Sequence, residues 1–339
     1  MAPNLATRLA TPVHVVTPAP HLGLTWDISA QEDCHGIAEL VVTTEAESAI
    51  VRRTPDKEIM RWATRDDPDA IVKNLVGKDS LGQIQAFGAV RVPIDETTQA
   101  RAELFAVTRK KWRKRGIGRA LLAWQDAMAR QILLQHFGEN SLLPVRILNV
   151  VEEHMVDRRL MYVAAGFSPK TSIGVYVSDL SADPGIRPPK GTVIRSWEPR
   201  FDAEARSLYT STQAHLGATE AESRKWWNRG KRLFSEELSF ALFNEEGQMN
   251  AVALTCKHSD VWLSSGKVDG AIDLVAQRSY HDAPGVEALI SHISSQARAQ
   301  DLRGLSIESV VRAPGDAHLR LMRLGFQKIA SRRVYRIDL

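Results

Sequence analysis

The 339-residue chain has few cysteines and no long apolar segment. Its two cysteines, Cys34 and Cys256, lie far apart and have no Cys or His neighbour at metal-ligand spacing, which argues against a disulfide framework and a zinc site. No stretch approaches the ~18 apolar residues of a membrane span, and residues 1–16 lack the apolar run of a signal peptide. We therefore expect a soluble, cytoplasmic protein with no bound metal and no membrane partner.

The composition is that of a globular protein with more than one domain. Hydrophobic residues make up 44% and charged residues 25% of the chain, which excludes extensive disorder. Because single domains typically have ~100–150 residues, two domains are expected. The prolines and glycines of 181–191 are incompatible with regular structure and predict a linker between domains at 1–180 and 192–339.

The two halves of the sequence carry similar landmarks in the same order. The matched pairs are Gly82–Ala86 with Gly247–Ala251, Val107 with Val275, Ala120–Leu122 with Ala288–Ile290, and Gly166–Phe167 with Gly325–Phe326, at offsets of 165, 168, 168 and 159 residues. Extra residues between Arg130 and Pro144 account for the smaller last offset. The constant order predicts a duplicated α/β domain.

Each half is predicted to be a mixed α/β domain. In the first half, strands are expected near Leu24–Trp26, Val72–Val76, Ile84–Val92, Ala102–Thr108, Val145–Val151 and Ile173–Val177, and helices from about Ala30, after a Thr54 cap, from Ile117 and over His154–Ala165. In the second half, Val193–Arg195 is a predicted strand, Pro284 opens a helix and Val334–Ile337 forms the closing strand.

The most specific segment is the predicted strand, loop and helix of Ala102–Leu122. Seven cations lie within eleven residues of the loop: Arg109, Lys110, Lys111, Arg113, Lys114, Arg115 and Arg119. Gly116 and Gly118 allow close approach of the backbone, and free amides at the helix start favour an anion. These features predict a site for a pyrophosphate, with further cations for a ribose 3′-phosphate.

A basic segment is also compatible with a nucleic-acid patch, a localisation signal or a solvated surface. None of these alternatives requires a strand, two glycines and an amphipathic helix in this order. The dinucleotide fingerprint Gly-x-Gly-x-x-Gly and the Gly-Lys-Ser/Thr of a P-loop are absent from the segment. A nucleic-acid partner is therefore the less favoured alternative.

Two motifs resemble those of the GNAT N-acetyltransferase superfamily. Arg113-Lys-Arg-Gly116-Ile-Gly118 is similar to the family signature Arg/Gln-x-x-Gly-x-Gly/Ala, and Tyr162-x-x-x-Gly166-Phe167 is similar to its later Tyr-x-x-x-Gly-Phe element. With the duplication, the chain resembles tandem GNAT proteins such as mycothiol synthase and the tandem protein of clavulanic acid gene clusters. The resemblance implies two tandem α/β domains that use acetyl-CoA and an amine of a small molecule, as in antibiotic biosynthesis. It is also compatible with a homodimer.

The resemblance further implies a role for particular residues. The pyrophosphate would lie on the amides of 113–118 and the pantetheine along a splayed strand edge, with Glu103 as base and Tyr162 as acid. Glu103 is alternatively an outward-facing strand residue, and Tyr162 a packing aromatic. Met155 replaces the asparagine of the family pattern, which removes the usual helix cap. The implied coenzyme-binding residues are Phe105, Ala106, Val107, Arg113, Lys114, Arg115, Gly116, Ile117, Gly118 and Arg119.

The second copy lacks most of these residues. His281, Pro284, Val286, Ala271 and Leu321 stand at the positions of Arg113, Gly116, Gly118, Glu103 and Tyr162. Proline has no amide proton and valine has a branched side chain, so a degenerate coenzyme loop is expected at 192–339. In tandem relatives such as mycothiol synthase, however, the C-terminal half transfers the acyl group. The alternative is therefore a structural acetyl-CoA in the first half and transfer from a second acyl-CoA in the second, with Asp269, Asp273 or Glu308 as base.

Overall fold

The computed structural model describes most of the chain. The described ranges are 3–19, 23–215, 218–231, 234–257, 268–279, 283–311 and 316–339. Contacts between residues divide the chain into two units, Met1–Thr171 with Arg333–Leu339, and Ser172–Arg332.

Unit 1 is a mixed domain of strands and helices, as the hydrophobic periodicity predicts. Its elements are α1 (Leu5–Leu9), β1 (Thr25–Asp27), α2 (Asp33–Glu47), α3 (Asp56–Thr64), β2 (Ala70–Lys78), β3 (Ile84–Pro93), β4 (Ala100–Thr108), α4 (Ile117–Phe137), β5 (Val145–Glu152), α5 (Val156–Ala164) and the start of β6 (Ser168–Ser178).

Unit 2 repeats this order of elements. It contains the rest of β6, then β7 (Thr192–Ser196), α6 (Asp202–His215), α7 (Glu220–Lys231), β8 (Phe240–Asn244), β9 (Met249–Lys257), β10 (Gly270–Gln277), α8 (Ala283–Ala299), β11 (Leu305–Val311), α9 (Asp316–Arg323) and the start of β12 (Gln327–Asp338). From β1 to β6 and from β7 to β12, the same succession of one strand, two helices, three strands, helix, strand, helix and strand occurs. The predicted duplicated α/β fold is confirmed.

The sheet of each unit is mixed. In unit 1 the strand order is β1-β2-β3-β4-β5-β12, and in unit 2 it is β6-β11-β10-β9-β8-β7. The pairs β4 with β5 and β10 with β11 are parallel, whereas β2 with β3 and β9 with β10 are antiparallel. Parallel neighbours need a crossover, and α4 and α8 provide it.

The end of the last strand of each repeat belongs to the unit formed by the other half of the chain. Residues 172–178 of β6 pair with β11 inside unit 2, from Leu305↔Ser178 to Val311↔Ser172. The segment Arg333–Leu339 lies in unit 1, where Leu339 and Val145 exchange backbone hydrogen bonds of 3.0 and 3.2 Å. Residues 172–180 and 333–339 thus lie in the opposite units from those predicted. A strand pattern identifies a strand but not its partner, so the sequence did not indicate this exchange.

Side chains alternate between two cores in unit 1. On β4, Ala102 and Leu104 face the core that contains Leu121 of α4, whereas Val107 belongs to a second core with Ile37 of α2. This alternation follows from the two-residue period of a strand. Helices consequently cover both faces of the sheet, and the residues at 103, 105 and 107 share the α2 side.

The predicted cap of α3 is wrong. Pro55, in extended conformation, is the N-cap residue, and Thr54 instead donates its amide and hydroxyl to the Glu45 carboxylate. The fixed φ of proline suits the residue that precedes a helix as well as its first turn. No helix in the described ranges of the chain is long and apolar enough to cross a bilayer.

The strand exchange predicts that a residue near the C-terminus stabilises the N-terminal unit. Tyr335 is 2% exposed and packs against Tyr162, and its hydroxyl accepts a hydrogen bond of 3.0 Å from Arg159. We expect Tyr335→Ala to lower the free energy of unfolding of unit 1 by about 3–5 kcal/mol, because it leaves a cavity. Urea unfolding followed by hydrogen exchange in peptides from 1–171 measures this effect. Tyr335→Phe keeps the ring and should cost only about 1 kcal/mol. Equal exchange in wild type and Tyr335→Ala would contradict the assignment of this strand.

Candidate functional site

Two neighbouring parallel strands of unit 1 separate in mid-sheet. Pairing of β4 with β5 runs from Ala100↔Val145 to Glu103↔Leu148, and in the described chain it stops there. Pairing of β4 with β3 continues to Ala86↔Thr108. The edge of residues 104–108 that faces β5 is therefore open. It contains the residues that the sequence predicts to lie along pantetheine, Phe105, Ala106 and Val107.

The loop after β4 leads into α4, whose first residues have no side-chain cap among the described residues. Gly116 is the N-cap residue of α4 with φ of 89°, and no side chain of the described residues caps it. The first turn contains no acidic residue, and the first hydrogen bond of the helix joins the Ala120 amide to the Gly116 carbonyl. The amides of 117–119 therefore lack partners within the helix. Together with the positive end of the helix dipole, they attract an anion.

Different structural features favour glycine at positions 116 and 118 of the loop. Gly116 has a left-handed backbone that favours glycine. A Cβ atom at Gly118 would lie 3.2 Å from the Met161 sulfur of α5, a close contact that a small shift of this side chain would relieve. The sequence attributed both glycines to the approach of a ligand, and this role remains a prediction.

Arg113 is a half-buried cation of the loop. Its Nε donates to the Thr108 carbonyl at 3.1 Å and its Nη2 to the Ser48 hydroxyl at 2.7 Å. Burial lowers the pKa of Arg113; Glu47 opposes this effect and the charge of Arg158 adds to it. A bound anion would relieve both unfavourable effects. The other predicted anion-binding cations, Lys114, Arg115 and Arg119, are exposed.

The first residues of the loop contact carboxylates of α2. Arg109 pairs with Glu39 at 2.9 Å, and the Lys110 amide donates to Glu47 at 3.3 Å. A cavity of 570 Å³ lies on this side of the loop. It is lined by Glu32, Asp33, Gly36, Glu39, Glu47, Gly82, Gln83, Ile84, Gln85, Arg109, Lys110 and Lys111. Because its lining includes no residue of β5 or α5, it lies beside the separated strands rather than between them.

Glu103 is part of a buried charge network on the α2 side of the sheet. Its carboxylate lies 3.2 Å from Arg91 Nη1 and 3.4 Å from Arg101 Nη2. Arg91 also contacts Asp67 at 2.7 Å, and Arg101 contacts Glu96 at 3.0 Å. At 28% exposure, Glu103 is the most accessible side chain of the five. It is thus the member that a substrate can reach.

The network holds Asp67 and Arg91 in their ionised forms. Burial alone would raise the pKa of Asp67, but the hydrogen bond and charge of Arg91 lower it below its ordinary value. Burial alone would lower the pKa of Arg91, but the Glu103 and Asp67 carboxylates raise it. No motif in the sequence indicated this network. The two-residue spacing of Arg101 and Glu103, which places both on one face of β4, is the sequence feature that could have suggested it.

Tyr162 lies in the core of unit 1. It is 1% exposed, its ring packs edge-on against Phe167 at 5.0 Å, and Asn149 of β5 donates a short hydrogen bond to its hydroxyl. Since Asn149 is the donor, the hydroxyl proton of Tyr162 is left for another acceptor. Met155 is the N-cap residue of α5 and, among the described side chains, none caps this helix, as the missing asparagine predicts.

The two predicted catalytic residues approach the separation point from opposite faces of the sheet, Glu103 from the α2 side and Tyr162 from the core that contains Leu121. Glu103 pairs with Leu148, and Asn149, which holds Tyr162, is the next residue of β5. Glu103 and Tyr162 thus flank the place where the strands diverge. Their catalytic roles remain predictions.

Unit 2 has the same strand separation without the same loop chemistry. Pairing of β10 with β11 covers Gly270↔Leu305 to Ile272↔Ile307 and, in the described part of unit 2, ends there. Helix α8 begins at Ala283 and includes Pro284, and a Cβ atom on Gly285 would lie 2.5 Å from Leu242. The start of this helix is therefore packed against the core of its unit.

The other sequence-predicted positions of unit 2 are less suited to a coenzyme site. Leu321 is buried where unit 1 has its tyrosine. Of the candidate bases, Asp269 pairs with Arg303, Glu308 pairs with Arg332, and Asp273 is exposed. His281 lies outside the described residues. No group of three or more metal-ligating side chains occurs within the residues that the structure describes.

The charge network predicts a pH-dependent stability. Arg91→Gln should lower the free energy of unfolding at pH 7 by about 3–5 kcal/mol, because it leaves Asp67 and Glu103 without their shared cation. The pKa of Asp67 is lowered in the folded state, so its contribution is present above its ordinary pKa of 3.8 and is lost as pH falls through the lower folded value. The free energy of unfolding, measured with urea, should differ less between pH 7 and pH 3 in Arg91→Gln than in the wild type. Arg53→Gln, at an exposed site, is the control. An unchanged free energy of unfolding for Arg91→Gln would contradict a structural network.

No protein-family model matches the chain, and no curated protein gives a significant match. Solved structures do match over nearly the whole length. A GCN5-related N-acetyltransferase from Sphaerobacter thermophilus aligns with a TM-score of 0.73 at 15% identity, over 95% of this chain and 97% of that chain. The tandem GNAT protein from the clavulanic acid biosynthesis pathway aligns with a TM-score of 0.60 at 14% identity, over 93% and 98%. A glucosamine N-acetyltransferase region of a fungal multi-domain β-N-acetylglucosaminidase aligns with a TM-score of 0.65 at 11% identity, over 95% of this chain and 38% of that chain. The likeness confirms the fold that the motifs indicated, a tandem pair of GNAT-type α/β domains.

Proposed function

We propose that unit 1 binds acetyl-CoA and that the protein transfers the acetyl group to an amine of a small molecule. The observation that carries this proposal is the adjacency of an open β4 edge and an uncapped, cation-rich start of α4. Solved structures of the same fold have N-acetyltransferase names, which supports the reaction class. The acceptor pocket is the variable part of such a fold, so we assign no acceptor beyond a small-molecule amine.

The two halves of the coenzyme would make different kinds of contact. The pyrophosphate would accept hydrogen bonds from the amides near 114–119, with Arg113 beside it and Lys114, Arg115 and Arg119 in solvent. The pantetheine would lie along Phe105, Ala106 and Val107, where its amides pair with the strand edge as an added strand does. The contacts together fix the thioester near the point where β4 and β5 diverge.

The chemistry requires a base and an acid. A protonated amine has no lone pair, so a base must remove its proton before it attacks the thioester carbonyl, and an acid assists departure of the thiolate. Glu103 is the accessible carboxylate at the separation point, which suits the base. Tyr162 has its hydroxyl oxygen held by Asn149 and its own proton available, which suits the acid. Backbone amides of the open edge would polarise the carbonyl.

Unit 2 would not hold a coenzyme through the same contacts. Pro284 contributes no amide, and the start of α8 packs against Leu242. Ala271 and Leu321 supply neither a base nor an acid. We therefore place both the coenzyme and the transfer in unit 1.

Separate variants test binding and transfer. Arg113→Ala should weaken the binding of coenzyme A about 10- to 100-fold, since it removes a charged donor to phosphate. Glu103→Gln and Tyr162→Phe should leave this affinity unchanged and lower turnover about 100-fold or more. Calorimetry with coenzyme A measures affinity, and release of free thiol from acetyl-CoA in the presence of a panel of primary amines measures turnover.

Two results would contradict this assignment. Normal turnover in both Glu103→Gln and Tyr162→Phe, with coenzyme bound, would favour a structural coenzyme in unit 1 and transfer in unit 2. Tight binding of duplex DNA that weakens steeply with salt, with no binding of coenzyme A, would instead favour the nucleic-acid alternative.

A further inference from the structure

Arg158 occupies the open edge of β4. It lies in the first turn of α5 and is half-buried. Its Nη2 donates a hydrogen bond of 3.0 Å to the carbonyl oxygen of Ala106. Ala106 lies beyond Glu103, the last β4 residue that pairs with β5. In this conformation a side chain, rather than a ligand amide, therefore satisfies that carbonyl.

The guanidinium of Arg158 lies near that of Arg113, because the two bond to carbonyls only two residues apart on β4, those of Ala106 and Thr108. Its charge contributes to the lowered pKa of Arg113, after burial and against the opposing effect of Glu47. Two cations that disfavour each other in a partly buried place favour the arrival of an anion between them. Arg158 thus makes a hydrogen bond to the pantetheine edge while it lies within the electrostatic reach of the pyrophosphate site.

The second copy provides an internal comparison. At the 159-residue offset of the Gly-Phe pairs, Ala317 of α9 corresponds to Arg158, and it is exposed. The same copy has Pro284 and Val286 in place of the loop glycines. The arginine is therefore present in the copy that has the basic loop and replaced in the copy that does not. The rest of the helix does not require it, because α9 forms with alanine at this position.

We infer that Arg158 is a specificity-determining residue that makes unit 1 select pantetheine thioesters carrying a nucleotide pyrophosphate. Without that pyrophosphate, the guanidinium donates a hydrogen bond to the Ala106 carbonyl and competes with the pantetheine amide for this acceptor. Phosphate oxygens draw the guanidinium towards Arg113 and free the carbonyl. This inference rests on the proposed function, since it assumes that a coenzyme lies along β4.

Two ligands and two variants test this role. Coenzyme A has the pyrophosphate, and free pantetheine lacks it. In Arg158→Ala we expect coenzyme A to bind about 10-fold more weakly or worse, because a charged phosphate contact is lost. Pantetheine should bind about 2- to 10-fold more tightly, because the carbonyl is open. Arg158→Gln retains a donor without the charge, so it should lose affinity for coenzyme A without gaining affinity for pantetheine.

Calorimetric dissociation constants for both ligands in both variants are the readout, and Arg187→Ala, at an exposed site of unit 2, is the control. Thermal unfolding verifies that each variant is folded. If Arg158→Ala changes the two affinities by the same factor, or changes neither, the inference is overturned while the proposed function stands. If wild-type protein binds no coenzyme A, the proposed function fails and this inference fails with it.

Discussion

The separation of β4 from β5 after Glu103 is the constraint on which the rest of unit 1 depends. A strand edge that loses its neighbour inside a domain leaves polar backbone groups that need other partners. Two side chains supply them in this structure: Arg113 donates to the Thr108 carbonyl at 3.1 Å, and Arg158 donates to that of Ala106 at 3.0 Å. The gap thereby remains open without unpaired carbonyls at these two positions, and it leads directly to the start of α4.

The duplication separates what the fold requires from what the site requires. Both units have the same order of elements and a parallel strand pair that stops after a few residues. Both also retain buried cores on the two faces of their sheets. The positions predicted to form the coenzyme site differ between the copies, for example Gly116 against Pro284 and Tyr162 against Leu321. Burial of apolar residues maintains the architecture, whereas the chemistry of the site depends on individual side chains and amides.

Sequence periodicity was sufficient to predict the helices and strands but not which strands pair with each other. The spacing of Ile117, Leu121, Trp124, Met128 and Ile132 predicted α4; Met128 is half-buried and the other four residues are buried. The exchange of β6 and β12 could not be predicted, because alternation along a strand does not identify its neighbour.

Local patterns predicted the positions of the loop and the start of α4 but not all of the contacts that their residues make. The loop cations and Gly116 lie where the motif placed them, yet Gly118 packs against Met161 and Arg109 is neutralised by Glu39. The contacts of Arg91 with Asp67 and of Arg158 with Ala106 join residues 24 and 52 positions apart. Contacts at such separations depend on tertiary packing, which a single sequence does not show.

Hydrogen exchange with and without coenzyme A tests the central claim most directly, because it reports on the backbone amides that the proposed site uses. If the pyrophosphate lies at the start of α4 and the pantetheine along β4, then saturating coenzyme A should slow exchange of the amides at 114–119 and of the Ala106 amide. The corresponding start of α8, residues 285–288, should exchange as before. Unchanged exchange at 114–119, or protection at α8 in its place, would contradict the account.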